Sequence, residues 1–142
     1  MKKLFVVLFT IAAVSFTACA QKLDASKVPA AVKESFSRQF PGASPKWQKE
    51  EENYEAGFKL QGYENIALFD ANGTFSEFET EINLSELPAA VNAYIKKHHT
   101  GKKIKEAAKI IKPNGEINYE AEVNGNDLIF DANGNFVKEV KP

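Results

Sequence analysis

Leu68-Phe69-Asp70-Ala71-Asn72-Gly73 returns later in the chain as Ile129-Phe130-Asp131-Ala132-Asn133-Gly134. Two more segments repeat in the same order. Val28-Pro29-Ala30-Ala31-Val32 reappears as Leu87-Pro88-Ala89-Ala90-Val91, and Tyr54-Glu55-Ala56 as Tyr119-Glu120-Ala121. Ordered matches at a spacing close to half of the 142 residues mark a tandem duplication of one structural unit.

Each copy opens with apolar residues four apart, Val28, Val32, Phe36 and Phe40 in the first and Leu87, Val91 and Ile95 in the second, with His99 closing that series. Such a stripe makes one narrow apolar helix face that needs a sheet to lie on. Ser26 and Ser85 stand where N-caps belong, Pro29 and Pro88 fall in the first turn, and Gly42 and Gly101 follow the last stripe position. Beyond each helix, Tyr54, Ala56, Phe58 and Leu60 alternate with Glu55, Gly57 and Lys59, and Tyr119, Ala121 and Val123 with Glu120 and Glu122. That is the period of a half-buried strand. Asn72-Gly73, Asn114-Gly115, Asn124-Gly125 and Asn133-Gly134 are hairpin signals.

The pattern predicts an α+β fold with four antiparallel strands per copy, near 46–51, 54–60, 65–69 and 74–82, then near 104–112, 116–123, 127–130 and 135–140. A copy of about 60 residues is marginally stable alone. Pairing the edge strands of two copies across the short stretch Ile82 to Ser85 removes two exposed edges. The expectation is therefore one eight-stranded sheet with both helices on one face, built from repeats at 21–83 and 84–142.

A capped helix carrying V/L-P-A-A-V, a strand with Tyr-Glu-Ala and a strand ending in Phe-Asp-Ala-Asn-Gly resemble the PepSY-like domain family of exported proteins from Gram-negative bacteria. That family is similar in structure to the β-lactamase inhibitor proteins, which also duplicate a helix-plus-four-strand unit. The resemblance runs over nearly all of residues 26–140. It implies an exported inhibitor-like or binding module and assigns no ligand.

The N-terminus agrees with export. Lys2 and Lys3 precede the apolar run Leu4 to Val14, and Ser15 to Ala20 ends in small residues, which is the plan of a secretory signal peptide over residues 1–20. Thr10, Ser15 and Thr17 and the short length argue against a transmembrane helix, so the mature chain is expected to have no transmembrane segment. Ala18-Cys19-Ala20 fits cleavage before Gln21. Phe16-Thr17-Ala18-Cys19 resembles a lipobox, with Phe16 in place of the usual Leu, in which Cys19 carries a lipid anchor. Both readings place the protein in the periplasm or outer envelope, without a disulfide in the mature body.

Removing residues 1–20 takes two of the 18 Lys and Arg residues and none of the 19 acids, leaving a net charge of −3. A mildly acidic chain is a poor partner for nucleic acid, whose binding rests on neutralising phosphates. No G-x-S-x-G elbow, H-E-x-x-H or C-x-x-C is present. The only histidines, His98 and His99, are adjacent and diverge on a helix. Both Asp-Ala-Asn-Gly segments lack the later carboxylates of a calcium loop and read as turns. Neither catalysis, a cofactor nor a metal is expected.

Two surfaces stand out as candidates. Residues facing away from the helices, Glu55, Lys59, Glu120 and Glu122, together with Phe69 and Phe130, would form a face for a periplasmic protein or peptide. Lys96, Lys97, His98, Lys102, Lys103 and Lys105 would form a basic patch for lipid, cell-wall material or small anions. The first surface defines the leading function and the second its alternative.

Overall fold

The computed structural model describes residues 21–50 and 52–141, so the signal peptide expected over residues 1–20, Cys19 included, lies outside the described residues. The order along the chain is β1 (Gln21–Leu23), α1 (Ala30–Gln39), β2 (Lys46–Glu50), β3 (Asn53–Leu60), β4 (Tyr63–Phe69), β5 (Phe75–Glu81), α2 (Ala89–His98), β6 (Ile104–Ile111), β7 (Ile117–Val123), β8 (Asn126–Asp131) and β9 (Phe136–Val140). The strands follow one another in sequence order in a nine-stranded sheet. By internal contacts the chain forms two compact units, one holding residues 21–81 with 110–116 and the other 82–109 with 117–141.

Nine strands replace the expected eight because Gln21–Leu23 adds a short edge strand. Its three residues carry no alternation that could be read. Leu23 lies opposite Trp47, and that pairing brings it onto the first core. The helix starts also differ from expectation. Ser26 and Ser85 sit inside 3₁₀ turns, Ala25–Lys27 and Leu84–Glu86, whose N-caps are Asp24 and Asn83. The backbone N–H of Ser26 donates to Asp24 Oδ1 at 2.8 Å, and that of Asn83 to Glu86 Oε2 at 2.8 Å. Pro29 and Pro88 then open α1 and α2.

In the first unit, α1 sets Val32 and Phe36 against Trp47, Tyr54, Ala56, Phe58, Ala67 and Phe69. The register explains the set. Tyr54 faces Phe69, Ala56 faces Ala67, and Trp47 faces Ala56, so these side chains share one side of the pleat. In the second unit, Val91 and Ile95 of α2 meet Ala107, Ala121, Val123, Leu128 and Phe130. Tyr119 faces Phe130 and Ala121 faces Leu128. Phe69 and Phe130 are fully buried in these cores, which corrects their assignment to a binding surface.

The two Asp-Ala-Asn-Gly turns form as expected. Asp70 Oδ1 accepts from the backbone N–H of Asn72 and Thr74, and Asp131 Oδ1 from those of Asn133 and Asn135. The Thr74 bond holds the Asp70 carboxyl below its ordinary value of 3.8, and the Asn135 side chain, at 3.0 Å, does most to lower that of Asp131. A folded pKa below the unfolded one means stability that is present above pH 3.8 and lost as pH falls through the folded value. The melting temperature should therefore drop on acidification below about pH 4, and the Asp70→Asn, Asp131→Asn double variant should show a smaller drop. Equal acid sensitivity in the two proteins would remove these turns from the explanation.

Candidate functional site

On the side of each sheet segment away from its helix, the pleat places acids. In the first unit the cross-strand row Gln48, Glu55, Leu68, Glu77 lies next to the row Lys46, Gly57, Ile66, Glu79. In the second, Glu122 faces Asp127, and Glu120 faces Ile129, which faces Lys138. Glu55, Glu120 and Glu122 thus lie on the expected face, but their side chains are buried there, as are those of Glu79 and Asp127. Lys59 is exposed and bridges to Glu64 at 3.1 Å.

Asp127 is the most demanding group in this region. It is 1% exposed, and neither of its carboxylate oxygens has a hydrogen-bond partner among the described residues. Its strand neighbour Glu122 also leaves Oε2 without one, while Oε1 meets Lys105 Nζ at 3.4 Å. Lys105 Nζ lies 3.9 Å from Glu106 as well. Burial, then the charges of Glu122 and Glu106, push the Asp127 carboxyl up to about 6. Nothing in the sequence marked Asp127, because it follows Asn124-Gly125 and reads as a polar turn flank; burial and like charge from other strands single it out.

A raised folded pKa works against stability once the carboxyl ionises. Between pH 3.8 and about 6 the folded state holds a proton that the unfolded state has released, so stability falls as pH rises through that window and stays reduced above it. Asp127→Asn should therefore raise stability by about 1–2 kcal/mol at pH 7.5, the unpaired amide offsetting part of the gain, and have little effect below pH 4. Urea unfolding at both pH values measures this. A loss of stability at pH 7.5 would show that the carboxylate is satisfied.

The basic candidates fall in the last turn of α2, just beyond it and at the start of β6. Lys96, Lys97 and His98 occupy the last turn of α2, where positive charge complements the helix dipole, and Lys102 and Lys103 are exposed beyond it. His98 stacks on Tyr94 at 4.3 Å, and His99, the C-cap, is half-buried. Lys105 belongs with Glu122 and Glu106 and not with an anion patch. Among the described residues no group of three or more His, Cys, Asp or Glu side chains could hold a metal ion. None of the described helices is long and apolar enough to cross a membrane.

Comparison with known proteins agrees with this architecture. A "BLIP-like protein" from Bacteroides fragilis is 26% identical with a TM-score of 0.60, over 78% of this chain and 84% of that one. A DUF2874 family protein from Bacteroides uniformis is 22% identical with a TM-score of 0.70, over 78% and 87%. One of the "putative periplasmic proteins" from Bacteroides eggerthii is 19% identical with a TM-score of 0.71, over 79% and 87%. No curated protein matches. Residues 52–138 match the family described as "Putative beta-lactamase-inhibitor-like, PepSY-like". That stretch is more than half of the chain, and the protein belongs to this family.

Proposed function

We propose that the protein is an exported, non-catalytic binding module that receives a basic segment of a periplasmic protein or peptide on the acidic side of its sheet. The observation that carries this reading is Asp127, a buried carboxylate beside Glu122 without a hydrogen-bond donor. A guanidinium or ammonium group supplies the donors that Asp127 lacks, and an opposite charge directly beside it. Lys105, largely exposed and reaching Glu122 at 3.4 Å, is the cation that an incoming side chain would replace. The inhibitor-like description of the family supports a binding role, and the periplasmic relatives support the compartment. In this reading residues 1–20 are the signal peptide, with lipid on Cys19 as the other outcome of processing. Residues 21–83 and 84–142 are the protein's two repeats.

An arginine-only peptide titrated calorimetrically into residues 21–142 tests the reading. Binding should exceed that of a glutamate-only peptide, fall with added salt and weaken on going from pH 7.5 to pH 5, as Asp127 gains its proton. Asp127→Asn should weaken it, whereas Asp24→Asn, at an exposed acid in a different turn, should not. Equal binding of both peptides, or equal loss in both variants, overturns the proposal.

A further inference from the structure

The fold builds the Asn-Gly pairs at 72–73, 114–115, 124–125 and 133–134 in two different ways. In three of them the Asn keeps a negative φ and the Gly closes the turn. The Gly73 N–H donates to the Asp70 carbonyl at 3.0 Å, that of Gly115 to Lys112 at 2.9 Å, and that of Gly134 to Asp131 at 2.9 Å. In the fourth, Asn124 and Gly125 take φ +56° and +80°, as a two-residue hairpin turn requires, and the cross-strand pair Val123 and Asn126 closes it. The Gly125 N–H stands outside the ladder and has no partner among the described residues.

Access separates the pairs as well. Asn124 and Gly125 are both exposed, and a Cβ built on Gly125 would meet nothing within 4 Å. Gly73 and Gly134 instead lie close against Ala31 of α1 and Ala90 of α2. Gly115 is open, but the Asn114 side chain is engaged, its Oδ1 accepting from the Glu116 N–H at 2.9 Å.

These differences decide where a reaction that needs no enzyme takes place. Asn is a thermolabile residue because the backbone nitrogen that follows it can attack its side-chain amide, and a following Gly leaves that approach unobstructed. We infer that Asn124 is a self-modification site, at which the Gly125 nitrogen attacks Asn124 Cγ and the turn passes through a succinimide to isoaspartate. The nitrogen gives up its proton to water, the N–Cγ bond forms, and the Cγ–Nδ2 bond breaks with release of ammonia. Water then opens the ring. Addition at Cγ restores the peptide bond and leaves an Asp side chain; addition at the Asn124 carbonyl carbon breaks its bond to Gly125 and leaves the chain running through Cβ and Cγ. The sum converts an amide and water into a carboxylate and ammonium, with no oxidation or reduction. In the other three turns the nitrogen must first release a carbonyl that holds its proton and its peptide plane, at the expense of one net hydrogen bond.

Isoaspartate adds a backbone atom to a turn that sets the pairs Val123 with Asn126 and Glu122 with Asp127, so it disturbs the register at this end of the hairpin. The inference rests on turn geometry and is independent of the acidic-face reading. In the test, the purified protein is incubated in mildly alkaline buffer with and without urea, and its peptides are followed by mass spectrometry with fragmentation that separates Asp from isoaspartate. Folded, Asn124 should convert about fivefold or more faster than Asn72, Asn114 and Asn133, the factor that one net hydrogen bond supplies. In urea the four rates should draw together. Asn124→Gly, which keeps the positive φ of the turn, should abolish the product in this segment and leave the other three rates unchanged. The isoaspartate form, separated by ion exchange, should melt below Asn124→Asp, which carries the same added charge on an ordinary backbone. Conversion of Asn72, Asn114 or Asn133 in the folded protein as fast as that of Asn124, a ranking that persists in urea, or equal melting temperatures would each overturn the inference.

Discussion

Gly73→Ala is expected to cost about 3 kcal/mol or more of folding stability, a large share of what a domain of this size has. Two effects add. Gly73 adopts φ +80°, where an L side chain is strained, and a Cβ built on it would stand 2.4 Å from the Ala31 carbonyl oxygen. That oxygen belongs to the first turn of α1, so it cannot yield without moving the helix. Gly134 occupies the same place in the second copy with φ +84°, but there the nearest atoms are the Cβ atoms of Ala90 and Pro88 at 3.0 Å. Gly134→Ala should therefore cost less, about 1–2 kcal/mol. Thermal unfolding of both variants beside the parent measures the difference. Equal costs would mean that strain alone decides and that the approach of turn to helix contributes nothing.

Phe36→Ala is expected to destabilise by about 3–5 kcal/mol. The Phe36 ring, 2% exposed, has four aromatic neighbours, Phe58 at 5.1 Å, Phe40 at 5.3 Å, Trp47 at 5.5 Å and Phe69 at 6.4 Å. Three of the four are edge-to-face contacts, and rings of that size cannot close over the space a lost neighbour leaves. Ile95, its counterpart in α2, packs in a largely aliphatic core, so Ile95→Ala should fall lower in the range of about 2–5 kcal/mol for an aliphatic truncation. Urea midpoints with unchanged slopes give both values. A cost for Phe36→Ala below that for Ile95→Ala would contradict the packing.

Both helices and most strand positions were legible in the sequence, because turns such as Asp70 to Gly73 use residue types that few other conformations need. Phe69 faces the core and not outward because parity across a hairpin depends on the number of residues in the turn, and the two-residue turn Gln61-Gly62 sets it opposite Tyr54. Gln21–Leu23 is a strand only because β2 offers it an edge. Ser26 does not cap α1 because the chain makes a 3₁₀ turn before the helix, which Asp24 caps, and Pro29 opens α1 without a side-chain cap. Asp127 was invisible for a different reason. Its character comes first from burial and then from charges on other strands, and no local pattern encodes either.

The β3–β4 hairpin runs two rungs beyond Phe58 opposite Asn65, whereas β7–β8 ends at the matching pair Val123 and Asn126, and this difference bears on how such a protein can change over generations. Four residues, two in each strand, leave the alternation of inward and outward side chains intact below the added rungs, and the turn keeps its two-residue form. Adding one residue to each strand would instead point the tip pair to the opposite face, and adding to one strand alone would force a bulge or a register slip through the pairs that build the core. Length at this tip is therefore free to vary in steps of four while the helix side of the pleat keeps its chemistry. Relatives should carry hairpins here that differ in multiples of four residues, each step lengthening the projection by about 7 Å without asking anything of the core beneath it.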